Sequence, residues 1–259
     1  MVQTLSLPAR KKATRKTVIP AISYCMVQFD LPLRHGQLPQ FRESFLRGLE
    51  TETEKRLVSH EYKNEEGKTI YEDRYPLIQF RCRQHRAAVY AIGEGVALLE
   101  RFLHRHCPAN PEKARPFVWE GGKVRLQVVQ LEKEHNRPLS LIKEGPAIYR
   151  LHTWLPLNAI NHQWWKENRN QPDVEKTKKL EQILVSHICV LIFKSGGYIA
   201  RKRIKLRILD KDRLREVYYK DTGQVAFDIR FEVNLRLPPG AGLGNHPAFG
   251  FGWQRPEYE

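Results

Sequence analysis

Long apolar runs are missing from this chain. No stretch approaches the roughly 18 residues that cross a bilayer, and no basic amphipathic helix stands out, so no membrane partner is expected. Cysteine is scarce: Cys25, Cys82, Cys107 and Cys189 stand apart without a C-x-x-C pair, which argues against zinc and fits reduced, buried thiols of a cytoplasmic protein. Clustered carboxylates are lacking too. No D-x-D or similar acidic cluster lies beside a conspicuous site, and Glu50, Glu52 and Glu54 alternate on an expected helix and read as solvated surface. None of the ten histidines pairs at the H-E-x-x-H spacing of a helical metal site, so neither metal nor cofactor is expected. His104 and His106 read as cap or surface residues near a helix end, and His187 as a satisfied core residue. Acidic residues are absent before Asp30, while Arg10, Lys11, Lys12, Arg15 and Lys16 precede it, so residues 1–19 read as a basic tail.

What the chain does have is positive charge and a dense glycine run. Its 259 residues carry a formal net charge of +15, the electrostatic footprint of a nucleic-acid partner. Near the C-terminus Gly242-Leu-Gly-Asn-His-Pro-Ala-Phe-Gly-Phe-Gly252 brackets a five-residue turn between two Gly-apolar-Gly pairs. Closely spaced glycines suit a loop that meets a ligand through its amides, and phosphate is the obvious anion. Only seven residues follow Gly252 and no Lys-Ser/Thr pair occurs in the loop, which argues against a P-loop or dinucleotide loop and against a nucleotide-dependent enzyme.

Hydrophobic periodicity predicts a strand from Ile22 to Phe29, a helix over about 39–57, strands over Tyr75–Arg83 and Ala87–Ile92, a helix over Glu94–His106 and a strand over Val124–Leu131. Strand, helix, strand, strand, helix, strand is the ferredoxin-like order. A loop rich in Pro and charge from about His135 to Pro146 separates an N-terminal unit, 20–135, from a second, 145–259. The second is expected to hold a strand over Ile148–Leu155, a short helix with Trp164 and Trp165, a long helix around Leu180–Leu191, and strands over Tyr198–Leu209 and Val225–Leu235. The fold class expected is α+β, two tandem ferredoxin-like (RRM-like) domains with antiparallel sheets, the second incomplete or decorated, with the glycine-rich loop at its C-terminal end.

On the expected strand Tyr198–Leu209, Arg201, Arg203, Lys205 and Arg207 alternate, which would set cations about 6.6–6.8 Å apart along one line, able to track a phosphate backbone. Gln79, Arg81, Arg83 and His85 repeat the pattern more weakly. His246 lies in the glycine loop and is a candidate RNA contact. With no carboxylate cluster, the favoured nuclease chemistry is attack by an RNA 2′-hydroxyl, which needs a base and an acid near neutrality. His35 and His60, before and after the first helix, are the histidines placed to reach one cleft.

Four segments carry a resemblance. The glycine run is similar to the C-terminal signature of the RAMP superfamily of CRISPR-associated RNA-binding proteins. Leu46-Arg47-Gly48, Arg74-Tyr75-Pro76-Leu77-Ile78-Gln79-Phe80 and Ala91-Ile92-Gly93-Glu94-Gly95 resemble successive motifs of the Cas-six repeat-processing endoribonucleases. The resemblance implies precursor CRISPR RNA bound across two ferredoxin-like folds, with RNA touched by Gly242, Gly244, Gly250 and Gly252. It also implies metal-independent cleavage that leaves a cyclic phosphate and a 5′-hydroxyl. Other CRISPR effector or adaptation proteins and a homodimer are further partners it would allow. Where some relatives carry His-x-His, this chain has His60-Glu61-Tyr62. The expectation is therefore that His60 serves as base or acid, Tyr62 or His35 as its partner, and Lys63 or Arg47 stabilises the phosphorane. A cleavage-silent scaffold that holds guide RNA is the alternative.

Overall fold

The structure is a computed structural model that describes residues 17–18, 20–58, 61–63, 68–71, 75–212, 215–219 and 222–257. Strand β1 (Ala21–Pro32) is apolar on both faces: Cys25, Val27 and Phe29 join one core, Ile22, Tyr24 and Met26 another. Such a strand must be covered on both sides. A 3₁₀ turn (His35–Gln37) leads into α1 (Leu38–Arg47), where Phe41 and Phe45, four apart, reach the first core. The single helix expected over 39–57 instead breaks at Gly48 and resumes as α2 (Glu52–Val58). A β-carbon on Gly48 would lie 3.0 Å from both His106 and Phe102, so the break lets a later helix pack against this bend.

β2 (Glu61–Lys63) and β3 (Thr69–Tyr71) form a small hairpin, and β4 (Ile78–Arg83) and β5 (Arg86–Ile92) turn tightly through Gln84 and His85, both at positive φ. Then follow α3 (Gly95–His106), the hairpin of β6 (Phe117–Trp119) and β7 (Gly122–Val124), and β8 (Val128–Pro138). The sheet order is β4-β5-β1-β8, antiparallel throughout, and Phe41, Phe45, Leu98, Leu99 and Phe102 of the helices cover one face. This is the ferredoxin-like arrangement.

The second unit contains β9 (Ala147–Trp154), α4 (Ala159–Glu167), α5 (Asp173–Lys194), β10 (Leu206–Lys211), β11 (Arg215–Tyr219), β12 (Thr222–Val233) and β13 (Trp253–Glu257). Its sheet runs β10-β12-β9-β13, the same order as the first, and β11 pairs with the far end of β12 as a long hairpin. Leu180, Leu184, Ile188 and Leu191 of α5 pack against Leu151, Phe231 and Val233 of the sheet. Where a second helix would lie between β12 and β13, the chain instead runs through the glycine segment, whose only helical turn is the 3₁₀ turn Pro247–Phe249.

The two units share a core. Tyr24 and Tyr90 on the outer face of the first sheet, with Tyr75 just before β4, belong to the cluster that contains Leu151, Trp154 and Leu243 of the second. β8 runs to Pro138, past the expected strand end at Leu131, so its last residues replace the start of the expected loop at His135. Beyond it the Leu139 amide donates to the Pro20 carbonyl, and Leu141 bridges to Leu235. Among the described residues no helix is long and apolar enough to cross a membrane.

Candidate functional site

The glycine run is a latch between the units. Tyr75 Oη donates to the Gly242 carbonyl at 2.7 Å, Gln79 Oε1 accepts from the Gly242 amide at 3.1 Å, and Gln79 Nε2 donates to Tyr75 Oη at 2.9 Å. Arg81 donates to Gln79 Oε1 at 2.9 Å and to the Gly240 carbonyl, with its guanidinium 4.7 Å from the Tyr90 ring centre. Burial lowers its pKa to about 10. Two of the sequence motifs therefore meet here, some 165 residues apart in the chain.

The expected amide cradle is largely consumed by the fold itself. Leu243 N donates to Gly252 O, Asn245 N to Leu155 O, Gly252 N to Thr153 O and Gly250 N to Pro247 O. The glycines answer to packing instead: a β-carbon on Gly252 (φ +65°) would fall 1.8 Å from the Leu243 carbonyl, and one on Gly244 2.7 Å from Trp154. His246 is half-buried in a left-handed conformation, its Nε2 3.1 Å from Gln224 Nε2. Of the glycines expected to contact RNA, Gly250 lines two open grooves.

The line of cations on one strand does not form. Arg201–Arg203 is a 3₁₀ turn and the strand begins only at Leu206, because Ile199 and Ile204 are both drawn into the core as the chain leaves α5. Arg201 caps the Gln182 carbonyl, Arg203 donates to Thr17 Oγ1 at 2.8 Å and Arg207 pairs with Glu232 at 3.0 Å, while Lys205 stays exposed. Alternation over seven residues cannot separate a strand from a turn followed by a strand. Arg81 is 5 % exposed and spent on the latch, whereas Arg83 is partly exposed and reaches Glu132 at 3.5 Å.

His35 is the candidate the structure places in a cleft. It starts the 3₁₀ turn before α1, where the Leu33 amide is held by the His85 carbonyl, and it lines two grooves between the units. One, of about 660 Å³, is walled by Arg42 of α1, Arg215 and Tyr218 of β11, and Phe249, Phe251 and Trp253. The other, of about 560 Å³, is walled by Arg83, Arg137, Arg255 and Glu132, and both share Gly250 and Trp253. The ring is accessible, yet desolvation between the units, with the nearby Arg215 and His85, holds its pKa below the ordinary imidazole value. It is therefore neutral at pH 7 and able to accept a proton from a hydroxyl. Arg215 donates to Thr153 Oγ1 at 2.6 Å and Asp228 Oδ1 at 3.0 Å, and Arg42 lies 5.6 Å from the centre of the Phe249 ring.

Of the other expected catalytic residues, one lies on α1, two on β2 and one outside the described residues. His60 lies outside the described residues. Tyr62 and Lys63 are on β2, with backbones opposite Ile70 and Thr69. Arg47 is exposed in the last turn of α1, the end remote from His35, about 15 Å along a ten-residue helix. Arg42, Arg215 and Tyr218 carried no signal in the sequence that tied them to His35; only the wrap of the β11–β12 hairpin toward α1 does. Among the described residues no three His, Cys, Asp or Glu side chains converge as metal ligands.

Comparison with known proteins adds the family. The model of the Cas6b N-terminal domain matches residues 20–109 and that of the Cas6b C-terminal domain residues 141–256. Among solved structures, one described as Cas6b superposes with a TM-score of 0.69 at 19% identity, covering 91% of this chain and 99% of that one. Another, described as the CRISPR RNA processing endoribonuclease Cas6b, gives 0.63 at 19% identity over the same shares. These similarities establish a shared fold. No curated protein matches. With both domain models matched in order over most of its length, the chain belongs to the Cas6b family.

Proposed function

We propose that this chain is a CRISPR RNA-processing endoribonuclease that cleaves precursor RNA within its repeats, without a metal, by attack of a 2′-hydroxyl on the adjacent phosphate. His35 accepts the 2′-hydroxyl proton, the 2′-oxygen bonds to phosphorus and the bond to the 5′-oxygen breaks. The products are a 2′,3′-cyclic phosphate and a 5′-hydroxyl. Arg42 and Arg215 supply positive charge to the phosphorane, a role that suits fixed guanidinium groups. The departing 5′-oxygen takes its proton from an acid, for which His60, Tyr62 and Lys63 remain the candidates.

The observation that carries this reading is His35, set in a cleft between the units with Arg42 and Arg215 in the same wall, where burial and nearby positive charge hold its pKa below the ordinary imidazole value. Membership of the family supports the substrate class. The test is incubation with labelled repeat RNA in EDTA beside an RNA bearing a 2′-deoxy group at the cleaved position. Cleavage of the first alone is expected. Binding of both without product would leave the scaffold alternative, and cleavage of the deoxy strand would overturn the chemistry.

A further inference from the structure

The groove on the α1 side of His35 has a chemistry that proton transfer leaves unexplained. Tyr218 is 71% exposed on the β11–β12 hairpin, a large aromatic ring left open to solvent at the groove wall. Phe249, Phe251 and Trp253 line the same groove. Trp253 is held in place, its ring stacked on His152 with centroids 4.3 Å apart and planes at 24°. Arg42 and Arg215 are the cations of this wall and Glu43 its carboxylate. The second groove, across His35, offers Arg83, Arg137 and Arg255 against Glu132, and so is suited to a phosphate backbone.

We propose that the aromatic groove is a nucleobase subsite: it takes the unpaired base of a nucleotide flanking the cleaved phosphate, stacked on Tyr218. This rests on the cleavage reading above and adds a position-specific contact to it. Three features select a base over other occupants. An exposed tyrosine beside further aromatic rings gives stacking surface, which every base can use. Arginines at the wall favour a ligand that carries phosphate. The groove meets the basic one at His35 and Gly250, so a backbone that presents its 2′-hydroxyl to His35 sends the adjoining base into the aromatic side. Stacking of this kind needs a base that is not paired, so the RNA is single-stranded at this nucleotide.

The test is an abasic scan of the repeat RNA, one position at a time, with Kd measured for the wild type, Tyr218→Ala and Tyr218→Phe, and cleavage followed in parallel. At one position beside the cleaved bond, loss of the base weakens wild-type binding by about 5- to 150-fold, the usual worth of one stacked base. Tyr218→Ala weakens binding of intact RNA by the same factor, the two losses do not add, and Tyr218→Phe binds as the wild type does. If no abasic position couples to Tyr218 while cleavage proceeds, the subsite is wrong and the cleavage reading stands. Coupling without cleavage would remove the chemistry and keep the subsite, and failure of the wild type to bind repeat RNA would overturn both.

Discussion

Replacing Gln79 with Leu isolates the latch. Gln79 is fully buried, and its Oε1 receives both the Gly242 amide and an Arg81 N–H while its Nε2 donates to Tyr75. Leucine fills a similar volume, so little cavity is made. The Gly242 amide, however, loses its partner inside the protein, at a cost of about 1–3 kcal/mol, and Arg81 loses one of its two acceptors, worth about 1.5–3 kcal/mol for a charged donor. A destabilisation of about 2.5–6 kcal/mol follows, a large part of the roughly 5–15 kcal/mol that holds a typical domain. Urea unfolding at pH 7, with the midpoint lowered and the slope unchanged, is the assay. A loss below about 1 kcal/mol would refute the reasoning. The phosphate-cradle alternative predicts the opposite pattern, with stability intact and the salt dependence of RNA binding altered.

Glu54, expected at the surface, is instead 6% exposed and bound to Arg105 at 2.6 Å and Arg101 at 3.0 Å; burial works to raise its pKa but these bonds and the Glu50 amide bring it to about 2. Glu54→Gln therefore costs about 1–3 kcal/mol at pH 7 by denaturant titration, and the difference from wild type shrinks as pH falls from about 4.5 toward 2. His187 accepts from Trp154 Nε1 at 3.2 Å, and burial takes its pKa to about 4. Because the unfolded chain binds this proton first, stability declines as pH drops from about 6.5 to 4, by up to about 3 kcal/mol, and His187→Gln flattens that limb of the pH–stability curve. Arg215→Ala removes a cation that depresses His35, so the acid limb of the cleavage profile moves to higher pH, whereas Arg47→Ala leaves that limb in place.

Much of this fold was legible because its strands and helices obey simple periods. Phe227, Ile229, Phe231 and Val233 alternate into the core, Leu180, Leu184 and Leu191 fall on one side of α5, and both sheets take the order that element succession implied. What the pattern missed was set by tertiary contact. Gly48 ends α1 where the apolar periodicity would carry the helix on, and a β-carbon there would meet Phe102 and His106. Glu54 turns inward because two arginines of α3 lie opposite. Arg201 and Arg203 leave the strand because Ile204 must be buried beside them. The glycine motif was visible but its purpose was not: conformational freedom suggested a ligand, while the observed need is close approach to Leu243, Trp154 and the Tyr75–Gln79 strand entry. His35 was singled out beside His60 from its place before the first helix, but its partners Arg42 and Arg215 come only from the groove that α1 and β11 both line.

Single-turnover cleavage of repeat RNA by His35→Ala across pH 5 to 8, with EDTA present, tests the central claim most directly. General-base removal slows the step by about 10²- to 10⁴-fold at pH 7, and the wild-type rate rises with pH to a plateau reached through a midpoint below the ordinary histidine value, an inflection the variant lacks. A variant that cleaves at the wild-type rate with the same inflection would remove His35 from the mechanism.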